Sequence, residues 1–133
     1  MTAPRTVHAS EIAWGPHPAL PAGCELAVLL GQPSQPGSFA MRVRNPPGIR
    51  VMPHTHPEDR IYTVVSGTLL LGFGRSFDPA RFARLETGSV ALVPGGSPHF
   101  QDTGDEGYVI QIDGVGPSST DFLDARDDPR PRR

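Results

Sequence analysis

The chain predicts an all-β sandwich or barrel, on three observations. It carries 15 Gly and 16 Pro among 133 residues. That is a composition for many turns and against long helices, because Pro removes a helix donor and Gly loosens a helix interior. Its apolar residues come in short runs set between those turns. Its length suits one ordinary domain, and 37% hydrophobic content is enough to build a single core.

Taken in order, residues 1–24 are rich in Pro and Gly and read as an N-terminal arm, with Trp14 as an apolar anchor. Residues 25–117 form the expected β domain. Glu25–Leu30 reads as a buried strand, ended by the turn-rich run 31–37. In Phe39–Arg44 apolar and basic residues alternate, which marks a strand with one wet face. Ile49–His56, Ile61–Val65, Thr68–Phe73, Ser89–Val93, His99–Asp102 and Tyr108–Asp113 follow as strands, parted by Gly- and Pro-bearing turns. Only 77–85 offers a helical turn, where Asp78 can cap and Pro79 can take the first helical position. Residues 118–133 form a C-terminal tail whose charged, Pro-broken end is expected to be disordered.

Several classes of function are disfavoured. A net charge of −2 with scattered basic residues gives no footprint for nucleic acid. No apolar run approaches the roughly 18 to 20 residues of a membrane span, and Met1–Ser10 lacks the core of a signal peptide, so a cytoplasmic location is expected. Cys24 is the single cysteine and reads as a small buried hydrophobe.

The chemistry concentrates in two segments. In Gly48–Gly67, His54 and His56 stand two apart, so an extended strand projects both to one side. If a distant strand brings His99 to the same place, three neutral imidazoles face one point, a common way to hold a transition metal. Glu58 shares their parity and would join them as a fourth ligand if the strand stayed extended through Pro57. Gln111 and Asp113 share one face of the last strand and could also enter the barrel. Gln101, two beyond His99, is a candidate amide beside the metal. Tyr62 has the parity of Arg60 and could offer a phenol to a substrate. Arg60 either pairs with Glu58 or Asp59 at the surface or points inward, where it would want a substrate carboxylate or an internal acid such as Asp113. His8 and His17 are expected to be solvated in the arm.

These segments resemble the two motifs of the cupin superfamily. Gly48, His54, His56 and Gly67 match the first pattern, G-x5-H-x-H-x3-E-x6-G. Gly88, Pro94, Gly96 and His99 match the second, G-x5-P-x-G-x2-H-x3-N. The runs His56-Pro57-Glu58-Asp59, Val65-Ser66-Gly67-Thr68 and Gly114-Val115-Gly116-Pro117 are similar to small single-domain cupins. Arg60 stands where the family has its ligand Glu, and Thr103 where it has Asn. Arg has no lone pair to give, so Arg60 is not a ligand.

The resemblance implies a double-stranded β-barrel (jelly roll) and one divalent transition metal, whether iron, zinc, nickel or manganese, on His54, His56 and His99. It implies a metal-dependent enzyme acting on a small organic substrate that bears a carboxylate or an enol, such as a dioxygenase. Alternatives are a metal-assisted isomerase, cyclase or lyase, and a non-enzymatic metal- or ligand-binding sensor. It also implies a homodimer, for which residues 1–24 would supply an exchanged arm.

Overall fold

Eleven strands carry the architecture, and they fall in two antiparallel sheets that pack face to face. The computed structural model describes residues 3–131. In chain order the strands are β1 (Gly15–Pro16), β2 (Glu25–Leu30), β3 (Gly37–Asn45), β4 (Arg50–Thr55), β5 (Arg60–Gly67) and β6 (Leu69–Phe73), then β7 (Ala83–Leu85), β8 (Val90–Val93), β9 (His99–Asp102), β10 (Tyr108–Gly116) and β11 (Asp121–Phe122). One sheet runs β1-β2-β3-β10-β5-β8 and the other β11-β4-β9-β6-β7. The all-β expectation holds, as a jelly-roll sandwich whose sheets are not hydrogen-bonded into a closed barrel.

Each strand expected between residues 25 and 113 is present, with no end moved by more than three residues. Several elements among the described residues differ from expectation, including the short strands β1 and β11 in the segments read as arm and tail. Three single-turn 3-10 helices occur rather than one, at Ala9–Glu11, Pro79–Arg81 and Ala125–Asp127. The short strand β7 also emerges from the segment read only as a helical turn. The turn at 79–81 is built as its sequence predicts: the Asp78 carboxylate accepts the Ala80 N–H at 3.0 Å, with Pro79 in the first position. Phe77 and Phe82 flank it and meet Phe100 of β9, so this segment covers the outer face of the smaller sheet.

The core lies between the sheets, where alternate residues of β3 (Phe39, Met41, Val43), β5 (Tyr62, Val64) and β10 (Tyr108, Ile110, Ile112) meet Leu69 and Leu71 of β6. Tight turns depend on glycine at a few points. Gly67 ends β5 at φ +74°, and a side chain there would run into the Gly107 carbonyl. Trp14 is half-buried, with the Arg44 guanidinium 4.3 Å over its ring. Beyond β10, β11 pairs with β4, and Arg130 donates to the Thr120 carbonyl at 2.7 Å. The tail residues 132 and 133 lie outside the described residues. No helix among the described residues is long and apolar enough to cross a membrane.

Candidate metal centre

His54 and His99 are cross-strand partners, one on β4 and one on β9. Their meeting depends on an irregularity. The register runs Val51↔Gln101 and then His54↔His99, so β4 holds one residue more than β9 over that stretch. Pro53 lies in this bulge, where a residue without an N–H costs the ladder nothing. The extra residue turns both Val51 and His54 inward although they are three apart. His56 follows the end of β4, and its carbonyl accepts the Gly96 N–H at 2.8 Å, which ties the first histidine segment to the second.

The three side chains converge. Their ligand atoms lie within 4.8 Å of one another, and ring centroids are 4.2 Å (His54–His99), 5.0 Å (His54–His56) and 5.1 Å (His56–His99) apart. Each ring is held through Nδ1 by a backbone carbonyl: His54 donates to Met52 at 2.7 Å, His56 to Ser119 at 2.9 Å and His99 to Ser97 at 3.0 Å. A carbonyl only accepts, so Nδ1 carries the proton and each Nε2 keeps its lone pair. Burial holds all three imidazoles neutral. It draws His54 down to about 3, helped by His99, and His99 down to about 4, with Arg60 adding to it. His56 is lowered further, by burial and then by Arg60. The His56 Nε2 is buried with no hydrogen-bond partner. A buried acceptor without a partner is costly, and a metal ion would satisfy it. Three neutral, oriented Nε2 atoms therefore fit a divalent transition metal, and no carboxylate belongs to the cluster among the described residues.

The other expected site residues divide by sheet face. Arg60 and Tyr62 alternate inward along β5 and line the cavity beside the histidines, with Gln101 opposite. Both readings of Arg60 meet here, because it is inward and also paired. Its Nε donates to Glu58 at 2.8 Å and its Nη2 to the Ser118 hydroxyl at 2.7 Å, with the two charged side chains only 6% and 8% exposed. Glu58 thus spends one carboxylate oxygen on Arg60 and stays outside the metal cluster. Asp59 instead accepts the Gly95 N–H. Tyr62 is buried with its hydroxyl 3.4 Å from His99 Nε2, and burial raises its pKa against the pull of Arg60. The Gln101 Nε2 is buried without a partner. Thr103 is structural: its hydroxyl takes the Ile49 N–H at 3.0 Å.

Gln111 and Asp113 require a correction. They do share a face, but it is the outer one. Ile110 and Ile112 occupy the inner positions of β10, while Gln111 bonds Arg42 at 3.0 Å and Asp113 at 3.3 Å outside. Neither reaches the histidines. His17 requires the opposite correction, since it lines the cavity with His54 and His56 and burial lowers it to about 4. Sequence gave no signal for the Ser119 carbonyl or the Ser118 hydroxyl, because their roles depend on how the chain beyond β10 returns. The cavity bounded by these groups holds about 20 Å³, room for roughly one water. A larger groove of about 620 Å³ is lined by Phe39, Glu58, Ile61, Asp113 and Val115, and none of the three histidines lines it.

A three-histidine cluster held between the sheets of a jelly roll defines a metal-binding class of β-sandwich. The cupin family model matches residues 32–112, and the chain belongs to that family. Solved structures agree in fold. The polyketide cyclase RemF from Streptomyces resistomycificus aligns at TM-score 0.77 and 17% identity, over 96% of this chain and 90% of that one. The DMSP lyase DddQ from Ruegeria pomeroyi aligns at 0.69 and 20%, over 86% of this chain and 62% of that one. The salicylate 1,2-dioxygenase of Pseudoaminobacter salicylatoxidans aligns at 0.65 and 13%, over 79% of this chain and 30% of that one. No curated protein sequence matches the chain closely enough to count as a relative.

Proposed function

We propose that this cupin binds one divalent transition metal through the Nε2 atoms of His54, His56 and His99, and acts with it on a small organic substrate. The observation that supports this best is the unpartnered, buried Nε2 of His56 beside two like-oriented imidazoles. A bound metal would supply Lewis acidity or, if it is iron, a redox centre for dioxygenation. The chain's own groups serve the substrate. Tyr62 is held protonated by burial, and its hydroxyl can donate to a substrate oxygen once His99 Nε2 is engaged elsewhere. The free amide hydrogens of Gln101 offer a second donor. Arg60 already faces the Glu58 carboxylate, so the pair is neutral and favours an enol or enolisable carbonyl over a carboxylate.

The reactions of the structural neighbours, a cyclase, a lyase and a dioxygenase, span the alternatives, and fold alone does not choose among them. A second reading, a non-enzymatic metal- or ligand-binding sensor, is favoured by the small size of the cavity beside the histidines. Elemental analysis of protein purified with and without air separates these. Iron supports oxygen chemistry, and zinc or nickel supports isomerase, cyclase, lyase or sensor roles. His54→Ala should weaken metal binding by more than about 100-fold, beyond what loss of a supporting hydrogen bond costs, while circular dichroism stays that of a β-protein. Retention of stoichiometric metal by the triple His→Ala variant would place the metal elsewhere. We further propose a cytoplasmic homodimer that covers the exposed Ile61, Val90 and Leu92 on β5 and the edge strand β8.

A further inference from the structure

A substrate does not fit the cavity as it stands. About 20 Å³ admits a single water, whereas sites for small organic ligands enclose roughly 300 Å³ or more. A ligand larger than a water would have to displace part of the wall, and the hydrogen bonds show which part is least tied down. On one side the C-terminal segment is tied to the site itself: Ser118 to Arg60, the Ser119 carbonyl and the Thr120 hydroxyl to His56, and the Thr120 carbonyl to Arg130. Moving it would break the support of a histidine.

The other side is the loop 17–24, between β1 and β2. Among the described residues, every hydrogen bond of this loop closes within it: His17 N–H to Cys24 O, Ala19 N–H to His17 Nδ1, Leu20 N–H to His17 O and Cys24 N–H to Pro21 O. Only packing holds it to the barrel, with Leu20 against the core and lining the cavity. One end joins a two-residue strand that contains Pro16, and the other runs into the six-residue β2. His17 lines the cavity too. Its Nδ1 accepts from Ala19, so in the neutral ring Nε2 carries the proton and is a donor.

We propose that the loop His17–Cys24 is the gate of the metal cavity, opening as a unit to admit a metal ion or ligand and then resting against the bound ligand with the His17 N–H beside it. This rests on the metal centre proposed above and names how that centre is reached. A group that only gates changes rates of entry and exit together and leaves affinity alone.

The test uses the full-length protein with Co(II) as the probe, followed by its visible absorption during uptake and during removal by EDTA. Leu20→Ala should speed both rates by about tenfold, as loss of about 1.4 kcal/mol of closure would, with unchanged Co(II) affinity. Azide binding to the Co(II) protein should weaken about fivefold in His17→Ala, the size of one lost hydrogen bond, recover in part in His17→Gln, and stay unchanged in Leu20→Ala. Unaltered rates in Leu20→Ala, or faster release with weaker affinity, would overturn the gate. Azide affinity indifferent to His17 would remove that residue from the site. A wild-type protein that takes up no Co(II) would overturn the metal centre, and the gate with it.

Discussion

The two faces of the six-stranded sheet are built from the same strands and do opposite things. Along β5, Arg60, Tyr62 and Val64 face inward and are nearly inaccessible, while Ile61 and Val65 on the other face are exposed. Along β10, Ile110 and Ile112 belong to the core, while Gln111 and Asp113 bond one another outside. One residue of displacement separates a buried ion pair from a solvated one. The Arg60–Glu58 pair is only 6% and 8% exposed, whereas Arg44–Glu25, at a similar 2.9 Å, is 44% and 40% exposed. The distances match, so burial alone separates their energetics.

The largest effect should come from breaking the inner pair. Arg60→Met strands the Glu58 carboxylate in the interior and should cost about 3–5 kcal/mol in urea unfolding. Arg44→Met should cost under about 1 kcal/mol. Equal losses in the two variants would end the contrast between the faces.

A smaller effect should follow from pH, again on the inner face only. His54 and His99 titrate at about 3 and about 4 in the folded chain, below the ordinary 6.5 of an unfolded one. Between those values the unfolded state binds more protons, so the stability these groups contribute is present above pH 6.5 and is lost as pH falls toward 4. The slope should be on the order of 1 kcal/mol per pH unit for each group. Urea unfolding of metal-free protein at pH 7, 6, 5 and 4 would measure it. His54→Gln should reduce the slope, and an unchanged slope would show that acid acts through other groups.

The smallest effects should come from the outer face. Gln111→Ala and Asp113→Ala should shift stability by no more than about 0.5 kcal/mol and leave Co(II) affinity as it is. A measurable loss of metal in either would return these residues to the site. Leu92→Arg, on the same face, should change no stability but convert the proposed dimer to a monomer in light scattering. A wild type that is already monomeric at high concentration would refute the dimer.

Much of this was legible from spacing. His54 and His56 share a side because they stand two apart, and the glycines and prolines around them marked where strands had to end. Arg60 and Tyr62 were readable as a pair by the same rule. The alternation also grouped Gln111 with Asp113 correctly, but alternation carries no sign. Which face of β10 is the inner one was decided by its register against β3 and β5, including the shift between Val109 and Ile110. His17 was misjudged because most of its surroundings come from residues 26 or more positions away along the chain.

The sequence by itself determined the fold class, the family motifs and the three histidines, because turn chemistry and two-residue periodicity are local properties of a chain. Only the tertiary structure decided that Glu58 belongs to Arg60 rather than to the metal cluster. It likewise decided that the Ser119 carbonyl orients His56 and that His17 and Leu20 of the loop 17–24 line the cavity. Those contacts depend on which distant segments the packed sheets bring together, and no local pattern carries that information.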